Sequence, residues 1–345
     1  MSTMQRLEAT KQGGPLTLVT IPKPTPNDHE VLIRTKAVGL NPVDGKSLYY
    51  GVAIESWPVV LGLEIAGVVD SVGPAVTSFQ PGDEVFAWSS RFGLGAKGAA
   101  FQEFVVALDS SVAKKPASLT LEEAASIPIG FVTATSAIVV GLGVPLPGLG
   151  TTKLDQATAP KSVLVLGGSS AVGGHAIQLL RRALGTSATI VATSSPQHHG
   201  FLTKELGAST CIARADQSNV DILKGTTPGG AGFDAVLDCV GAVVEQPQIL
   251  EALRADGPKL FSEVVTGLAE VSVPQGTKHA KVLGMQVFQT DGGADVISYA
   301  TKLLESGEQK LPVKIEVVGT GLDAVEGGIQ KLMKGVSRTK MVVTI

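Results

Sequence analysis

Residues 160–195 constrain the fold more than any other part of the chain, because their pattern predicts a strand, a glycine-rich turn, a helix and a second strand. Residues 162–166 form a short apolar run without alternation, which is typical of a parallel strand covered on both faces. From Val172 onward the apolar residues recur at helical spacing, and Gly185 ends that helix. Such a turn directs unpaired backbone N–H groups and the positive end of the helix dipole toward one point, where a pyrophosphate binds.

The turn departs from the G-x-G-x-x-G pattern, since Ser170 and Ala171 stand where glycines would let a phosphate approach closely. An ordinary strand–turn–helix unit without a nucleotide is therefore the alternative interpretation. The dinucleotide interpretation assigns five residues to cofactor binding: Gly168, Ser169, Ser170, Ala171 and Val172.

The second strand, at residues 188–193, is followed by Ser194 and Ser195 rather than by the acid that would bind a ribose 2′-hydroxyl. An acid there would repel a 2′-phosphate, whereas hydroxyl groups with His199 and Lys204 downstream tolerate one. The sequence therefore predicts NADPH as cofactor in preference to NADH. The alternative for His199 is a place in the solvated start of a helix.

Bulk properties narrow the class of protein. A chain of 345 residues predicts about two domains. A net charge of -3 gives no electrostatic case for binding nucleic acid or an anionic membrane. The most apolar stretch, residues 138–150, is broken by prolines well short of the roughly 18 residues that a membrane span needs. No export signal is visible at the N-terminus, so we expect a cytoplasmic protein.

The two cysteines are too few for a disulfide framework or a four-cysteine zinc site, so we expect both to be core or near-core residues. The first part of the chain has the pattern of an all-β domain, and recurrent glycines in it predict a small, tightly curved barrel with bulges. Its predicted strands are 16–21, 30–38, 64–73 and 101–107, and residues 81–86 are predicted to contain a turn followed by a further strand.

After a helix start at residues 120–123 the pattern changes to helices alternating with parallel-type strands. Three later strands are predicted at 233–241, 260–265 and 281–288, and the C-terminal strand at 340–345 is expected to return to the barrel. This organisation predicts one domain made of residues 1–126 and 310–345, and a second made of residues 127–309. The Pro/Gly/Thr-rich connection at 143–160 predicts a mobile surface insertion.

In a doubly wound sheet the carboxyl ends of the strands line one crevice. Val240, Gly241 and Val264 follow such strands, and are therefore candidates to contact the nicotinamide end of the cofactor. Strand-end residues without a ligand are the alternative.

A series of ordered motifs carries a family resemblance. They lie at residues 37–44, 61–73, 81–85, 133–134, 206–208 and 238–241, around the cofactor turn. Over nearly its full length the chain resembles the medium-chain dehydrogenase/reductase superfamily, in its zinc-independent branch of quinone oxidoreductases and enoyl reductases. Residues 41–47, 142–147 and 335–343 further resemble the fungal trans-acting enoyl reductases of polyketide pathways. The resemblance implies an α/β protein, with a GroES-like small β-barrel catalytic domain and a Rossmann domain with a doubly wound parallel sheet.

Zinc alcohol dehydrogenases of this superfamily have a cysteine ligand where this chain has Asn41, and a Gly-His-Glu motif where it has Gly62, Leu63 and Glu64. Without those soft ligands neither zinc site can be assembled from the usual donors. Reduction of a polarised C=C or of a quinone remains, because an adjacent carbonyl accepts the charge that hydride creates. The implied substrates are small-molecule enones, enoyl thioesters or quinones, including a carrier-bound polyketide intermediate, and the protein is expected to be a monomer or a homodimer.

The resemblance also implies roles for single residues. A tyrosine near the nicotinamide corresponds to Tyr49 or Tyr50, with Lys46 closer to the motif, and we expect Tyr50 or Lys46 to assist protonation. Asn41 and Asp44 either line the site or brace a turn by bonding to backbone.

Two further positions follow from the resemblance. Thr133 is expected to touch the amide or the phosphates of the cofactor. Arg214 stands where relatives often have a tyrosine near the adenosine, and it either supplements binding of the 2′-phosphate or is a plain exposed arginine. The runner-up function is an NADPH:quinone oxidoreductase on the same site, and the non-enzymatic alternative is a catalytically silent NADPH-binding regulatory partner.

Overall fold

The computed structural model describes residues 2–150, 152–155, 157–267 and 269–345. The chain divides into two compact units. Unit 1 contains the residues up to Ile129 together with Ala300–Glu305 and Lys314–Ile345, and unit 2 contains Gly130–Tyr299 and Ser306–Val313. The first boundary thus falls three residues beyond the predicted one, and the chain changes units three times between residues 299 and 314 rather than once.

Fifteen strands occur in the described residues. Nine belong to unit 1: β1 (Thr3–Ala9), β2 (Leu16–Pro22), β3 (Glu30–Gly39), β4 (Glu64–Val72), β5 (Glu84–Trp88), β6 (Phe104–Leu108), β7 (Val112–Lys114), β14 (Lys314–Thr320) and β15 (Thr339–Thr344). Six belong to unit 2: β8 (Ser162–Leu166), β9 (Thr189–Ser194), β10 (Thr210–Ala213), β11 (Ala235–Asp238), β12 (Leu260–Val264) and β13 (Lys278–Val282).

The α-helices of the described residues are α1 (Pro42–Tyr50), α2 (Arg91–Leu94), α3 (Leu121–Ala124), α4 (Pro128–Ser136), α5 (Ala171–Leu184), α6 (His199–Lys204), α7 (Val220–Gly225), α8 (Ala242–Glu245), α9 (Val296–Glu305) and α10 (Ala324–Met333). A π-helical turn, Ala137–Gly141, continues α4. Short 3₁₀ helices lie at Gly95–Gly98, Asp109–Ser111, Pro196–His198, Arg214–Asp216, Pro228–Gly230, Pro247–Ala252, Gly284–Gln289 and Gly293–Asp295.

The larger sheet of unit 1 has the strand order β14-β15-β3-β4-β5-β7, and β6 also pairs with β3. The β3–β4 ladder contains two register shifts, which supply the predicted bulges. Fully buried Ile65, Val85 and Phe101 belong to its core. β15 lies between β14 and β3, so the last strand in sequence is an interior member of the sheet.

A two-stranded ladder joins β1 to β2 in antiparallel register. Met4, Leu7 and Ala9 of β1 are buried. β1 was not among the predicted strands, because the spacing of Met4 and Leu7 breaks the period of two that indicates a half-buried strand.

The sheet of unit 2 is parallel throughout, with the order β10-β9-β8-β11-β12-β13. Numbered from β8, this is the order 3-2-1-4-5-6 of a doubly wound dinucleotide-binding sheet. The order reverses at β8, so the crevice forms at the carboxyl end of that strand, where the glycine-rich turn begins. The predicted α/β class with a Rossmann sheet is confirmed.

The predicted strand at residues 281–288 is wrong in its bounds. β13 spans Lys278–Val282, and a 3₁₀ helix follows at Gly284–Gln289. β13 is one of the two edge strands and, among the described strands, pairs with β12 alone, so it needs no apolar residues on both faces. Apolar residues that follow β13 led to a predicted strand that begins three residues after the observed one.

The segment predicted as a mobile surface insertion is packed in its first part. Val144, Leu146 and Leu149 are buried, and the Tyr299 hydroxyl donates to the Pro147 carbonyl at 2.9 Å. Two positions of that segment, 151 and 156, lie outside the described residues.

Leu121–Gly141 is the one described helical run whose length and composition would allow it to cross a membrane. The apolar stretch predicted at 138–150 overlaps the last four residues of this run. Inside the protein 78% of the most apolar part of the run is buried, as in the core helix of a folded domain.

Candidate functional site

The glycine-rich turn between β8 and α5 forms a tight cradle. A side chain at Gly173 would collide with the carbonyl of Gly167, so the helix begins directly against the turn. The Ser170 hydroxyl caps the helix by accepting from the Gly173 N–H at 3.0 Å. Ala171 and Val172 keep backbone N–H groups that have no acceptor inside the helix. These two N–H groups and the dipole of a 14-residue helix form an anion site of the predicted kind.

The other two predicted turn residues have different places. The Gly168 N–H donates to the Thr193 carbonyl at 2.8 Å, so it shapes the turn and is not a free donor. Ser169 is partly exposed beside the cradle. The turn thus brings together all five predicted residues, but it offers ligand-directed N–H groups from the helix and not from Gly168.

Thr193 holds the turn in place through its side chain, a role that the sequence pattern did not indicate. Its fully buried hydroxyl accepts from the Gly167 N–H at 3.2 Å and donates to Gln217 Oε1 at 2.8 Å. Gln217 Nε2 in turn donates to Gln246 Oε1 at 3.0 Å. This chain of hydrogen bonds connects the cradle with β9 itself and with the segments that follow β10 and α8.

The residues predicted for the 2′-phosphate cluster where β9 and β10 end. Ala213 pairs with Ser194 in the parallel register, so Arg214 and Ser195 follow at the same level. Ser194 is buried and Ser195 is partly exposed, while Arg214 is exposed. His199 begins α6 and places its Nε2 3.3 Å from the Ser194 carbonyl.

Lys204 lies apart from this cluster. It is the last residue of α6, about 7 Å along the helix axis from His199, and it is exposed. The structure therefore brings Ser194, Ser195, His199 and Arg214 together, and the backbone of Lys204 lies further along α6.

Val240, Gly241 and Val264 line one cavity of about 270 Å³ at the carboxyl ends of β11, β12 and β13. The Val240 side chain packs directly on Gly167, because a Cβ at that glycine would collide with it. The cavity therefore adjoins the pyrophosphate cradle, as the predicted nicotinamide contacts require.

Asp238 holds the turn that carries two of the cavity-lining residues, Val240 and Gly241. Its carboxylate is fully buried and accepts the backbone N–H groups of Val240, Gly241 and Val243 at 3.0, 2.8 and 2.8 Å. Three such bonds fix the turn after β11. In the sequence Asp238 stood out only as the first residue of a family motif.

The cavity also has charged walls that the sequence pattern did not indicate. Lys281 Nζ lies 3.0 Å from Glu270 and 3.8 Å from Glu263, and His279 Nε2 lies 3.0 Å from Glu263. The register pairs Glu263 with Lys281, which explains why these charges meet. The sequence analysis missed these charges because its predicted strand at 281–288 did not include His279 and did not pair Lys281 with Glu263.

Thr133 lies on α4 and is largely buried. Gly130, one turn before it, approaches Ala171 at the start of α5, with a 3.1 Å distance from an ideal Cβ. The structure thus places Thr133 within about a helical turn of the cradle.

Helix α1 separates the predicted proton donors onto two faces. Gly45, Leu48 and Tyr49 face the core, where Gly45 packs against Met333 of α10. Lys46 and Tyr50, four residues apart, share the other face. Tyr50 is 67% exposed, and burial lowers the pKa of the partly buried Lys46.

Asn41 immediately precedes α1 and Asp44 lies in its first turn. Both side chains make contacts within unit 1. The Asn41 N–H donates to Asp44 Oδ2 at 2.7 Å, and the Asn41 side chain donates to Glu64 Oε1 at 2.9 Å. Lys340 Nζ donates to Asn41 Oδ1 at 2.7 Å and pairs with the same Glu64 carboxylate. Both polar side-chain atoms of Asn41 thereby have partners within unit 1, and the Asp44 carboxylate accepts from backbone. A role of either residue in lining the site stays a prediction.

Burial raises the pKa of Asp44 to about 7, against lowering by the Asn41 N–H and the charge of Lys340. The Glu64 carboxylate raises this pKa further, and the Arg91 guanidinium lowers it. Arg91 also donates to the Ala53 carbonyl at 3.1 Å, just beyond the end of α1.

Comparison with known proteins gives the family. The models of the alcohol dehydrogenase GroES-like domain and of the zinc-binding dehydrogenase match residues 27–117 and 171–291. The trans-enoyl reductase tndF of Aspergillus flavipes is 32% identical over 355 residues, which cover 96% of both chains. The structure of the quinone oxidoreductase from Coxiella burnetii is 25% identical, with a TM-score of 0.71 over 100% of both chains. An NAD-dependent alcohol dehydrogenase is 27% identical, with a TM-score of 0.74 over 99% of this chain and 100% of that one.

The chain belongs to the medium-chain dehydrogenase/reductase superfamily. It is an oxidoreductase that uses a nicotinamide cofactor and a small-molecule substrate. The alternative of a catalytically silent binding partner finds no support in these relatives, and the cradle at Gly167 and Gly173 fits the pyrophosphate of such a cofactor.

We expect Thr193→Val to weaken binding of the nicotinamide cofactor. The change keeps the shape but leaves the Gly167 N–H and Gln217 Oε1 without their buried partner, at a cost of about 1–3 kcal/mol. Fluorescence titration with the reduced cofactor measures the affinity. The control is Thr135→Val, which removes a buried hydroxyl bonded only within its own helix. Equal loss of affinity in both variants would contradict the assignment.

We expect Asp44→Asn to change how stability depends on pH. The folded-state pKa of about 7 lies above the ordinary 3.8, so the parent loses stability from this group as pH rises between about 4 and 7. Asparagine does not titrate, so the variant gains stability relative to the parent across that window. Melting temperatures of both proteins from about pH 4.5 to 8 measure the difference. A difference that stays constant with pH would show that Asp44 is ionised throughout.

Proposed function

We propose that the protein is an NADPH-dependent reductase without a catalytic metal, which transfers hydride to the β-carbon of an α,β-unsaturated carbonyl. The observation that carries the proposal is the donor set at the start of α1. Asn41, Leu63 and Glu64 occupy the positions where zinc relatives have Cys, His and Glu, and the Asn41 amide and Glu64 are bonded to Lys340. No group of three His, Cys, Asp or Glu residues suited to a metal occurs in the described parts of the chain.

These residues do not fit a zinc ion, because an amide and one carboxylate beside an ammonium group lack the soft donors that zinc takes. A substrate that needs no Lewis acid is then favoured. In an enone or enoyl thioester the conjugated carbonyl accepts the negative charge that hydride addition creates. The full-length likeness to a trans-enoyl reductase supports this substrate class.

When bound, the reduced nicotinamide supplies the hydride. The chain's own residues orient the partners and provide the proton. Ala171 and Val172 offer N–H groups to the pyrophosphate, and the cavity at Val240 and Gly241 receives the nicotinamide end. Tyr50 or Lys46, which share one face of α1, donates a hydrogen bond to the enolate oxygen and so assists protonation at the α-carbon.

The preference for NADPH rests on the residues after β9. Ser194 and Ser195 replace the acid that would repel a 2′-phosphate, and exposed Arg214 stands at the same level of the sheet. A guanidinium group binds phosphate through paired donors, so Arg214 adds to the hydroxyl contacts.

A second candidate is reduction of quinones at the same site. It is favoured by the likeness to the quinone oxidoreductase of Coxiella burnetii. A quinone also has carbonyl oxygens that accept the charge, so it would use the same donors, and only the choice of acceptor distinguishes the two functions.

A screen of cofactor oxidation across short enones, enoyl thioesters and quinones, with NADPH and with NADH, tests the proposal. We expect the highest kcat/KM with an enone or enoyl thioester, and binding of NADPH at least about tenfold tighter than NADH, or about 1.4 kcal/mol. Ser195→Asp should narrow or reverse that preference, because its carboxylate would lie beside the phosphate. A clear preference for quinones would overturn the proposed substrate class. Tighter binding of NADH by the parent would overturn the proposed preference for NADPH.

We expect Tyr50→Phe to lower kcat by about 10²- to 10³-fold, since one donor to the developing oxyanion is lost. The dissociation constant of NADPH should stay unchanged, because the contact exists only in the transition state. Tyr49→Phe is the matched control, because its ring faces the core of unit 1 and should leave kcat near that of the parent. Full activity of Tyr50→Phe with loss in Lys46→Ala would move the role to the lysine. If Tyr50→Phe and Lys46→Ala both keep the kcat of the parent, water supplies the proton.

A further inference from the structure

Arg91 is a partly buried arginine that leaves most of its hydrogen-bond donors unused. It is the first residue of α2, and its Nη2 donates to the Ala53 carbonyl at 3.1 Å. A guanidinium group has five N–H donors in a planar fork. Within the described parts of the chain, the bond to Ala53 is the one hydrogen bond that the Arg91 side chain makes, and no carboxylate lies at ion-pair distance from it. The other donors of this charged group therefore remain without a protein acceptor.

Arg181 shows how a comparably buried arginine uses its donors. Burial lowers the pKa of both guanidinium groups, since each has lost part of its hydration. Arg181, however, donates to three backbone carbonyls and to the Ser209 hydroxyl, at 2.6 to 3.0 Å. Because Arg91 has a single such bond, its loss of hydration is not compensated from within the protein.

Asp44 is the acid of the described chain whose charge acts on Arg91, and it does not neutralise the guanidinium group. Asp44 is almost completely buried, and its Oδ2 accepts the Asn41 N–H. Burial raises the pKa of Asp44 to about 7, so about half of these carboxyl groups are protonated at neutral pH. Arg91 therefore carries a positive charge that no neighbouring carboxylate cancels.

The loop that carries Arg91 is held in place by buried polar side chains. The Ser89 hydroxyl donates to the Gly98 carbonyl and accepts the Arg91 N–H at 3.3 Å. Gln102, which has no exposed surface, donates through its Nε2 to three carbonyls in residues 96–99, at 2.6 to 3.1 Å. The guanidinium group thus extends from a braced loop, which reduces the entropy lost when it binds a ligand.

Arg91 reaches the same turn that follows the predicted proton donor. The Ala53 carbonyl lies three residues after Tyr50, in a turn closed by the bond from the Ile54 N–H to the Gly51 carbonyl at 3.2 Å. Three residues span at most about 11 Å, so Arg91 Nη2 lies within roughly 16 Å of the Tyr50 Cα. A small molecule with two polar ends can span such a distance.

An apolar ring adjoins the charge. The Phe92 ring centre lies 5.1 Å from the guanidinium carbon of Arg91, and Phe92 is 50% exposed. A ligand whose anionic end is attached to a carbon chain can therefore contact both residues.

We propose that Arg91 is a specificity-determining residue that binds an oxyanion, either a carboxylate or a phosphate, at the end of the substrate remote from its α,β-unsaturated carbonyl. A guanidinium fork holds either group through two parallel N–H···O bonds. The substrates are then acidic members of the class of enones and enoyl thioesters. The place of the reacting carbonyl rests on the proposed function, whereas the binding of an oxyanion by Arg91 does not.

The first experiment measures binding without turnover, by calorimetric titration of the protein saturated with NADP⁺. Two pairs of probes differ in charge: 6-oxoheptanoic acid with its methyl ester, and phosphopantetheine with pantetheine. We expect the parent to bind the charged member of at least one pair about tenfold more tightly, and Arg91→Gln to bind both members equally. Arg34→Gln is the control, because it removes an exposed arginine of β3 in the same unit and should keep the preference of the parent.

Kinetics with reducible probes shows which oxyanion the substrate carries. (E)-6-oxohept-4-enoic acid is compared with its methyl ester, and crotonyl-phosphopantetheine with crotonyl-pantetheine. We expect kcat/KM of the parent to be about tenfold higher for the charged member of one pair, and this ratio to fall to about one in Arg91→Gln. If Arg91 only holds the turn at Ala53, the variant loses the same factor with charged and neutral substrates, and the ratio does not change.

A parent without preference in either titration pair, or a preference that survives in Arg91→Gln, would overturn the proposal. If Arg91→Gln does not fold, Arg91→Lys decides the same point, because an ammonium group keeps the charge without the paired donors and should lose most of the preference. A protein that reduces none of the probes but keeps the Arg91-dependent binding preference would refute the proposed function and support the oxyanion site.

Discussion

A single buried carboxylate, that of Glu64, organises unit 1. A carboxylate without exposed surface is strongly destabilising unless every lone pair finds a partner. Here the partners come from the loop after β3, from β15 and from the start of α4. Three segments distant in sequence must therefore be in register before the charge is satisfied, and the same contacts set the start of the helix that carries Lys46 and Tyr50.

Unit 2 differs in that it leaves backbone N–H donors available to a ligand at the carboxyl-end edge of its parallel sheet, while hydrogen bonds hold the turns at that edge in place. Parallel strands deliver their carboxyl ends to this edge, and the order reverses at β8. Most polar groups there are used internally: the Thr193 hydroxyl holds Gly167, and the Asp238 carboxylate holds the turn after β11. The N–H groups of Ala171 and Val172 remain for a ligand because a helix never satisfies its first turn itself.

Local patterns predicted much of this. The apolar run of β8 was placed at its observed bounds and α5 within one residue at its start. The misplaced β13 shows the limit of periodicity, since an edge strand has only one neighbour and little need of an apolar pattern. The buried contact between Lys340 and Asn41 was out of reach of local patterns because the two residues lie 299 residues apart in the sequence.

The interior position of β15 has a consequence for how the protein is made. During synthesis the residues of β3 and β4 emerge early, but the strand that completes their sheet follows the whole of unit 2 in sequence. A ribosome-bound chain therefore carries Glu64 without its counter-charge while the parallel sheet of unit 2 can already form from contiguous residues. Such distant pairings slow folding, since the chain closes a very long loop before their contacts stabilise it. The order of the strands in sequence therefore allows the parallel sheet of unit 2 to form before β15 completes the sheet of unit 1.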